Sequence, residues 1–324
     1  MLSSNYALPY TKISLLLTKL RWYFYEGKYI DKNNSFYVAI TCVFLESCTK
    51  GKTNYEAERG EVVEEGVEFK EVTNFVSTRY TISIEALNGV LYRGYNDIRV
   101  RIKNTQTNTP VEVSSVTFLP IQTAVSGEKR SCPNQYNFSY KSDDKYFSGY
   151  TVFTSESGAE GSWEINVNFT VGSQNFSVIK EVLVRQQTNK NLNMTMFTGK
   201  DDEQYVIALV SPKKPSVAEN KLIAGIYKLN KPLDSSSKGI ADQLQFSYSQ
   251  VDRYILKLDP RMPEPSMGNH SSPNNKDLIQ EADGLYHGIV NYTMTGNWTL
   301  NFILLNPDGK VIRGTEVPKD FTPG

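Results

Sequence analysis

The residues best suited to chemistry in this chain are soft ones, gathered in one stretch. Met262, Met267 and His270 fall within nine residues of one another, in a run from Asp259 to Asn275 rich in Pro, Gly and Asn. That composition argues for a loop in place of a helix or strand. The chain has two histidines, and the second, His287, follows a short way downstream. Thioether and imidazole together suit copper(I), which prefers soft ligands at low coordination number. His287 or Met294 could complete such a set from the neighbouring strand. Their separation is odd, so in an extended strand they point to opposite faces and at most one joins. His287 is the choice, being nearer the loop. A second reading competes: Met262 and Met267 fill an irregular gap, where flexible thioethers pack well. His270 then holds the loop backbone, and His287 sits half exposed.

Other chemistries find little support. No Gly-x-Ser-x-Gly elbow is present to supply a serine nucleophile, and there is no phosphate-cradling Gly loop or dinucleotide fingerprint. The three cysteines, Cys42, Cys48 and Cys132, form neither a disulfide framework nor a zinc spacing with the histidines. Asp143-Asp144 and Asp201-Asp202-Glu203 read as solvated turns. An enzyme is not expected. Lys plus Arg and Asp plus Glu each total 35, so the chain lacks the basic excess that displaces counterions from nucleic acid. No apolar run is long enough to span a bilayer as a helix.

The elements that must position the Met and His residues are strands. Twenty Tyr and fifteen Phe, with many Val and Thr, favour them. Apolar and polar residues alternate over Tyr80–Ala86, Ile98–Lys103, Val111–Phe118 and Trp163–Phe169, the pattern of half-buried antiparallel strands. Phe302–Leu305 and Lys310–Ile312 flank Asn306-Pro307-Asp308-Gly309, a strong hairpin turn. The chain also repeats itself. Pro120 precedes Pro133 by thirteen positions, as Pro260 precedes Pro273. Ser131-Cys132-Pro133-Asn134 lies against Ser271-Ser272-Pro273-Asn274, Gly149 against Gly288, and Trp163 against Trp298. Two tandem domains follow, residues 66–189 and 190–324. At about 120–135 residues, each suits a two-sheet sandwich with its Trp in the core. The first copy has Gln122 for Met262, Gly127 for Met267, Arg130 for His270 and Ser148 for His287. Any metal site therefore belongs to the second copy alone.

Ahead of the repeats, Lys28 and Lys32 precede the apolar run Ser35–Leu45, and Leu45-Glu46-Ser47-Cys48 resembles a bacterial lipobox. Residues 1–48 thus read as a leader with a lipoprotein export signal, its start placed upstream of the true one. Cys48 is the lipidation site, and residues 49–65 are a charged tether. A buried strand of the same composition is the other reading. The linker-like end, Val317–Gly324, suggests a second domain that lacks a closing strand.

The order of strand, Pro-rich loop with Met and His, Ser-x-Pro, Gly-centred strand and Trp strand resembles the FixH/YtkA-like domains of bacterial envelope proteins. The likeness rests on Met262, Met267, His270, Ser271, Pro273, Gly288 and Trp298 and covers about 100 residues of the second copy. It implies an all-β chain of two tandem immunoglobulin-like antiparallel β-sandwiches, export from the cytoplasm and a link to copper. The expected protein is non-enzymatic and lipid-anchored in a Gram-negative-type envelope, with the outer membrane favoured, facing periplasm or exterior. The alternative is a structural or adhesive surface lipoprotein that binds a protein or glycan and no metal.

Overall fold

Alternating apolar residues do make strands, and no helix occurs among the described residues. The computed structural model describes residues 68–77, 79–187, 193–230, 246–262 and 269–315. The leader with Cys48, all of the tether at 49–65, the boundary at 189/190, Met267 and the Val317–Gly324 end lie outside them.

The first copy contributes β1 (Phe69–Ser77), β2 (Tyr80–Leu87), β3 (Leu91–Tyr92), β4 (Gly94–Asn104), β5 (Ser115–Thr123), β6 (Lys129–Arg130), β7 (Ser139–Lys141), β8 (Tyr146–Phe153), β9 (Ser162–Val171), β10 (Gln174–Val182) and β11 (Val184–Arg185). One antiparallel sheet runs β1-β2-β4-β8-β7 and a second runs β10-β9-β5-β6, while β11 pairs with β3 in parallel. Their inner faces share a core in which Ile82, Ile84 and Val100 of the first sheet meet Phe118, Trp163 and Ile165 of the second. Each such side chain, once fully buried, stabilises the fold by about 1.5–3 kcal/mol before chain entropy is counted.

Strand β5 starts later than the alternation at Val111 suggests and runs on through Pro120. Proline has no N–H for a ladder and is tolerated where that side of the strand is unpaired. On that side β6 is only two residues long, and the Ser131 hydroxyl donates to the Pro120 carbonyl at 2.6 Å.

The second copy contributes β12 (Met194–Thr198), β13 (Gln204–Ser211), β14 (Glu219–Leu229), β15 (Tyr248–Gln250), β16 (Ile255–Arg261), β17 (Lys276–Gln280), β18 (Tyr286–Asn291), β19 (Thr299–Leu305) and β20 (Val311–Arg313). Its pairing order, β12-β13-β14-β18-β17-β16-β19-β20 with β15 on β14, repeats the first copy. Strands β12, β13, β14, β18 and β17 follow the order of β1, β2, β4, β8 and β7. Strands β20, β19 and β16 follow β10, β9 and β5.

One difference separates the copies. Two sheets are expected here, but the second copy is a single sheet that folds over, because β16 pairs directly with β17 at Ile255–Ile279 and Leu256–Leu278. At the corresponding place the first copy has only the isolated bridge between Thr117 and Asn137. Both limbs of the folded sheet still close on one core, which includes Ile207, Leu222, Leu256, Leu278, Tyr286 and Leu304.

The repeat extends to single hydrogen bonds. Ser271 donates to the Pro260 carbonyl at 2.9 Å, as Ser131 does to Pro120. Asn96 exchanges hydrogen bonds with the backbone of Tyr92 and donates to Gly94. Asn220 does the same with Ser216 and Ala218. A Cβ on Gly149 would strike the Phe138 ring, and one on Gly288 would meet the Lys276 carbonyl at 2.6 Å and Leu278 at 2.9 Å. Both glycines therefore let the preceding strand press onto β8 or β18.

A third apolar cluster joins the copies. Val152 of the first packs with Met194, Val206, Ala208 and Tyr227 of the second, and Tyr95, Tyr150 and Tyr248 cover it. Tyr95 and Tyr150 stack at 5.3 Å, and Lys213 reaches Asp97 at 3.6 Å.

Candidate functional site

The sequence places Met262 and His270 on a loop. In the structure they are the two arms of a short antiparallel ribbon at the end of β16. Arg261 bridges to Ser271, and the Met262 N–H donates to the His270 carbonyl at 3.1 Å. Residues directly opposite in such a pair project to the same face. The first copy holds the same register, with Gln122 opposite Arg130.

On its other edge β16 pairs with β19, Arg261 lying against Thr299. One step further along this register, Trp298 falls alongside Met262, as Trp163 falls alongside Gln122. The His270 ring stands edge-on to the Trp298 indole, with centroids 6.1 Å apart, and Tyr292 flanks the indole at 5.6 Å. Met262 is 2% exposed. A Cβ on Gly296, whose φ is +136°, would come within 2.7 Å of the Met262 methyl carbon. The positive φ is what calls for glycine at this position.

The two tryptophans are not alike. Both were expected in the core, and Trp163 is fully buried there, but Trp298 is only half-buried. Each indole N–H donates to a carbonyl of the preceding connection, that of Ser155 at 3.1 Å or that of Met294 at 3.2 Å. Eight residues separate Ser155 from Trp163 and only four separate Met294 from Trp298, so the second indole has less chain to cover it.

In the first copy these positions hold polar partners. Buried Gln122 donates to the Ser155 hydroxyl at 2.7 Å and to the Glu160 carbonyl at 3.2 Å. Arg130 forks onto Glu128 at 3.1 and 2.7 Å, and its guanidinium holds that carboxyl below the usual carboxylate range. The second copy substitutes a thioether and an imidazole for this pattern.

The structure does not bring His287 to the ribbon. His287 lies opposite Ile279, and Ile279 lies opposite Ile255, at the far end of β16. Seven extended residues separate Ile255 from Met262, roughly 23 Å of strand. There the imidazole Nε2 sits 3.0 Å from Asp283 and Nδ1 sits 3.8 Å from Glu281. Met267 falls outside the described residues. Cys132 is buried beside the Thr151 hydroxyl at 3.3 Å, and burial pushes its thiol up to about 12. A thiol so protonated is a poor nucleophile or ligand.

Among the described residues no three His, Cys, Asp or Glu side chains gather to hold an ion. The donors at the ribbon are thioether and imidazole, a set that fits copper(I) in preference to a hard cation.

Compared with known proteins, the chain matches no family model and no curated sequence. Among solved structures it is similar to a DUF4785 family protein from Legionella pneumophila, at 9% identity and a TM-score of 0.24, over 73% of this chain and 54% of that one. It is also similar to a chain described as pT26-6p, at 11% identity and a TM-score of 0.24, over 74% of this chain and 59% of that one. The chain thus spans little more than half the length of either structure.

Proposed function

We propose that this is a non-enzymatic, lipid-anchored protein of the bacterial envelope whose second repeat binds copper(I). One observation carries the copper reading: strand register sets Met262 directly opposite His270, beside the half-buried Trp298. The first repeat keeps the backbone frame but has Gln122 and Arg130 at those positions, so it acts as scaffold. The lipobox-like Leu45–Cys48 and the resemblance to FixH/YtkA-like domains support the anchor and the envelope location.

The competing reading is that Met262 only fills the gap beneath Gly296, which its 2% exposure favours. Titration of the full-length chain with Cu(I), under reducing conditions and against a chromophoric chelator, separates the two. The expected result is a single tight copper per chain, weakened by His270→Ala. Binding no tighter than micromolar would leave only packing.

A further inference from the structure

Resting on that copper reading, we infer that Met294 is a ligand of the same ion and that His287 is not. The two repeats supply the reasoning, since one shows the contact that the other has changed.

In the first copy the buried amide of Gln122 touches the Ser155 side chain at 2.7 Å. These positions therefore face one another across the sheet end, beside the indole of Trp163. Gln122 corresponds to Met262, because Gln122 lies opposite Arg130 and Trp163 just as Met262 lies opposite His270 and alongside Trp298.

Ser155 corresponds to Met294 on two independent grounds. Each supplies the carbonyl that accepts its copy's indole N–H. Each also lies six residues after the structurally matched glycine, Ser155 after Gly149 and Met294 after Gly288. The match of those glycines is fixed by pairing. Gly149 lies opposite Ile98, two residues past Asn96, and Gly288 lies opposite Leu222, two residues past Asn220. The four-residue difference between the copies falls after this point, between Met294 and Trp298.

Where the first copy has a Gln–Ser hydrogen bond, the second thus has two methionines at the corresponding positions, and His270 in place of the Arg across the ribbon. Three positions that carry polar side chains in the first copy carry copper(I) donors in the second, while the tryptophan and the strand register are shared. Two thioethers and one imidazole make a three-coordinate soft site. Gly296 lays its backbone against Met262, and the Trp298 indole stands edge-on to the His270 ring. Met294 is 37% exposed, which gives the ion a way in from solvent. His287, at the far end of β16, is excluded by distance.

The test compares two single variants of the full-length chain, Met294→Leu and His287→Ala, by Cu(I) titration against the chelator. Leucine keeps the volume and removes the sulfur. Met294→Leu is expected to weaken binding about tenfold or more, at least the effect of losing a supporting residue, with His287→Ala indistinguishable from the parent. Met294→Cys, which returns a sulfur donor, should recover binding. If the parent binds copper and Met294→Leu binds it equally well, the assignment of Met294 is overturned while the copper reading stands. If the parent does not bind, both fall.

Discussion

Glycine at 149 and 288 shows what a single residue does in this fold. Gly149→Ala drives a methyl into the Phe138 ring, and Phe138 is itself 7% exposed and cannot swing clear. A destabilisation of about 1–3 kcal/mol is expected from such overpacking, read as a lower denaturation midpoint with an unchanged slope. Cys132 gives a pH dependence. Its thiol titrates near 12 in the folded chain, raised by burial and partly offset by Thr151, against an ordinary value of 9.0. The folded state holds this proton more tightly than the unfolded one, so its stabilising effect is complete below pH 9 and is lost as pH rises toward 12. Burial raises the Tyr248 and Tyr286 phenols to about 12 as well, which steepens the fall above pH 10. Cys132→Ala should flatten the slope between pH 9 and 10, where the tyrosines contribute least, and an unchanged slope would contradict the assignment. Gly149, Gly288, Pro120 and Pro260 were all legible as a repeated frame. The exposure of Trp298 was not, because it follows from the length of a connection elsewhere in the fold.

At the scale of elements, the Ser-x-Pro spacing explains itself once β5 and β16 are seen to run through a proline. The serine hydroxyl stands in for the ladder donor that the short returning arm does not supply. Ser131→Ala removes a buried hydrogen bond and should cost about 0.5–1.5 kcal/mol, or more if the Pro120 carbonyl stays unpaired. Ser271→Ala, where the serine is exposed to solvent, should cost less; equal losses would argue against this account. Strand alternation was readable from sequence for β2, β4, β9 and the β19–β20 hairpin. The run Met262 to His270 was not readable as a ribbon, since its pairing is set by β16 register and not by any local pattern. Nearness along the chain favoured His287 over Met294, yet β16 register puts His287 at the opposite end.

At the scale of the whole molecule, the two repeats share a third core around Val152 and Tyr227, so they should unfold together. Fluorescence and circular dichroism should then report one coincident transition, and separated midpoints would mean that the repeats fold independently. Within that core the buried Tyr227 hydroxyl lies beside Tyr150 and Gln250, and burial raises its titration well above the ordinary phenol value. The spaced Pro, Gly and Trp residues fall at matching places in the repeated pairing order, whereas the fusion of the second set of strands into one folded sheet depends on two residue pairs that no periodicity marks.

Copper(I) bound by thioether and imidazole donors of the second repeat is the proposal on which the rest depends. Copper-edge X-ray absorption of the full-length chain, loaded with one equivalent of Cu(I), reads those donors directly. A low-coordinate first shell with sulfur and imidazole nitrogen is expected, its sulfur amplitude falling in Met294→Leu and unchanged in His287→Ala. A shell of nitrogen and oxygen alone would contradict it.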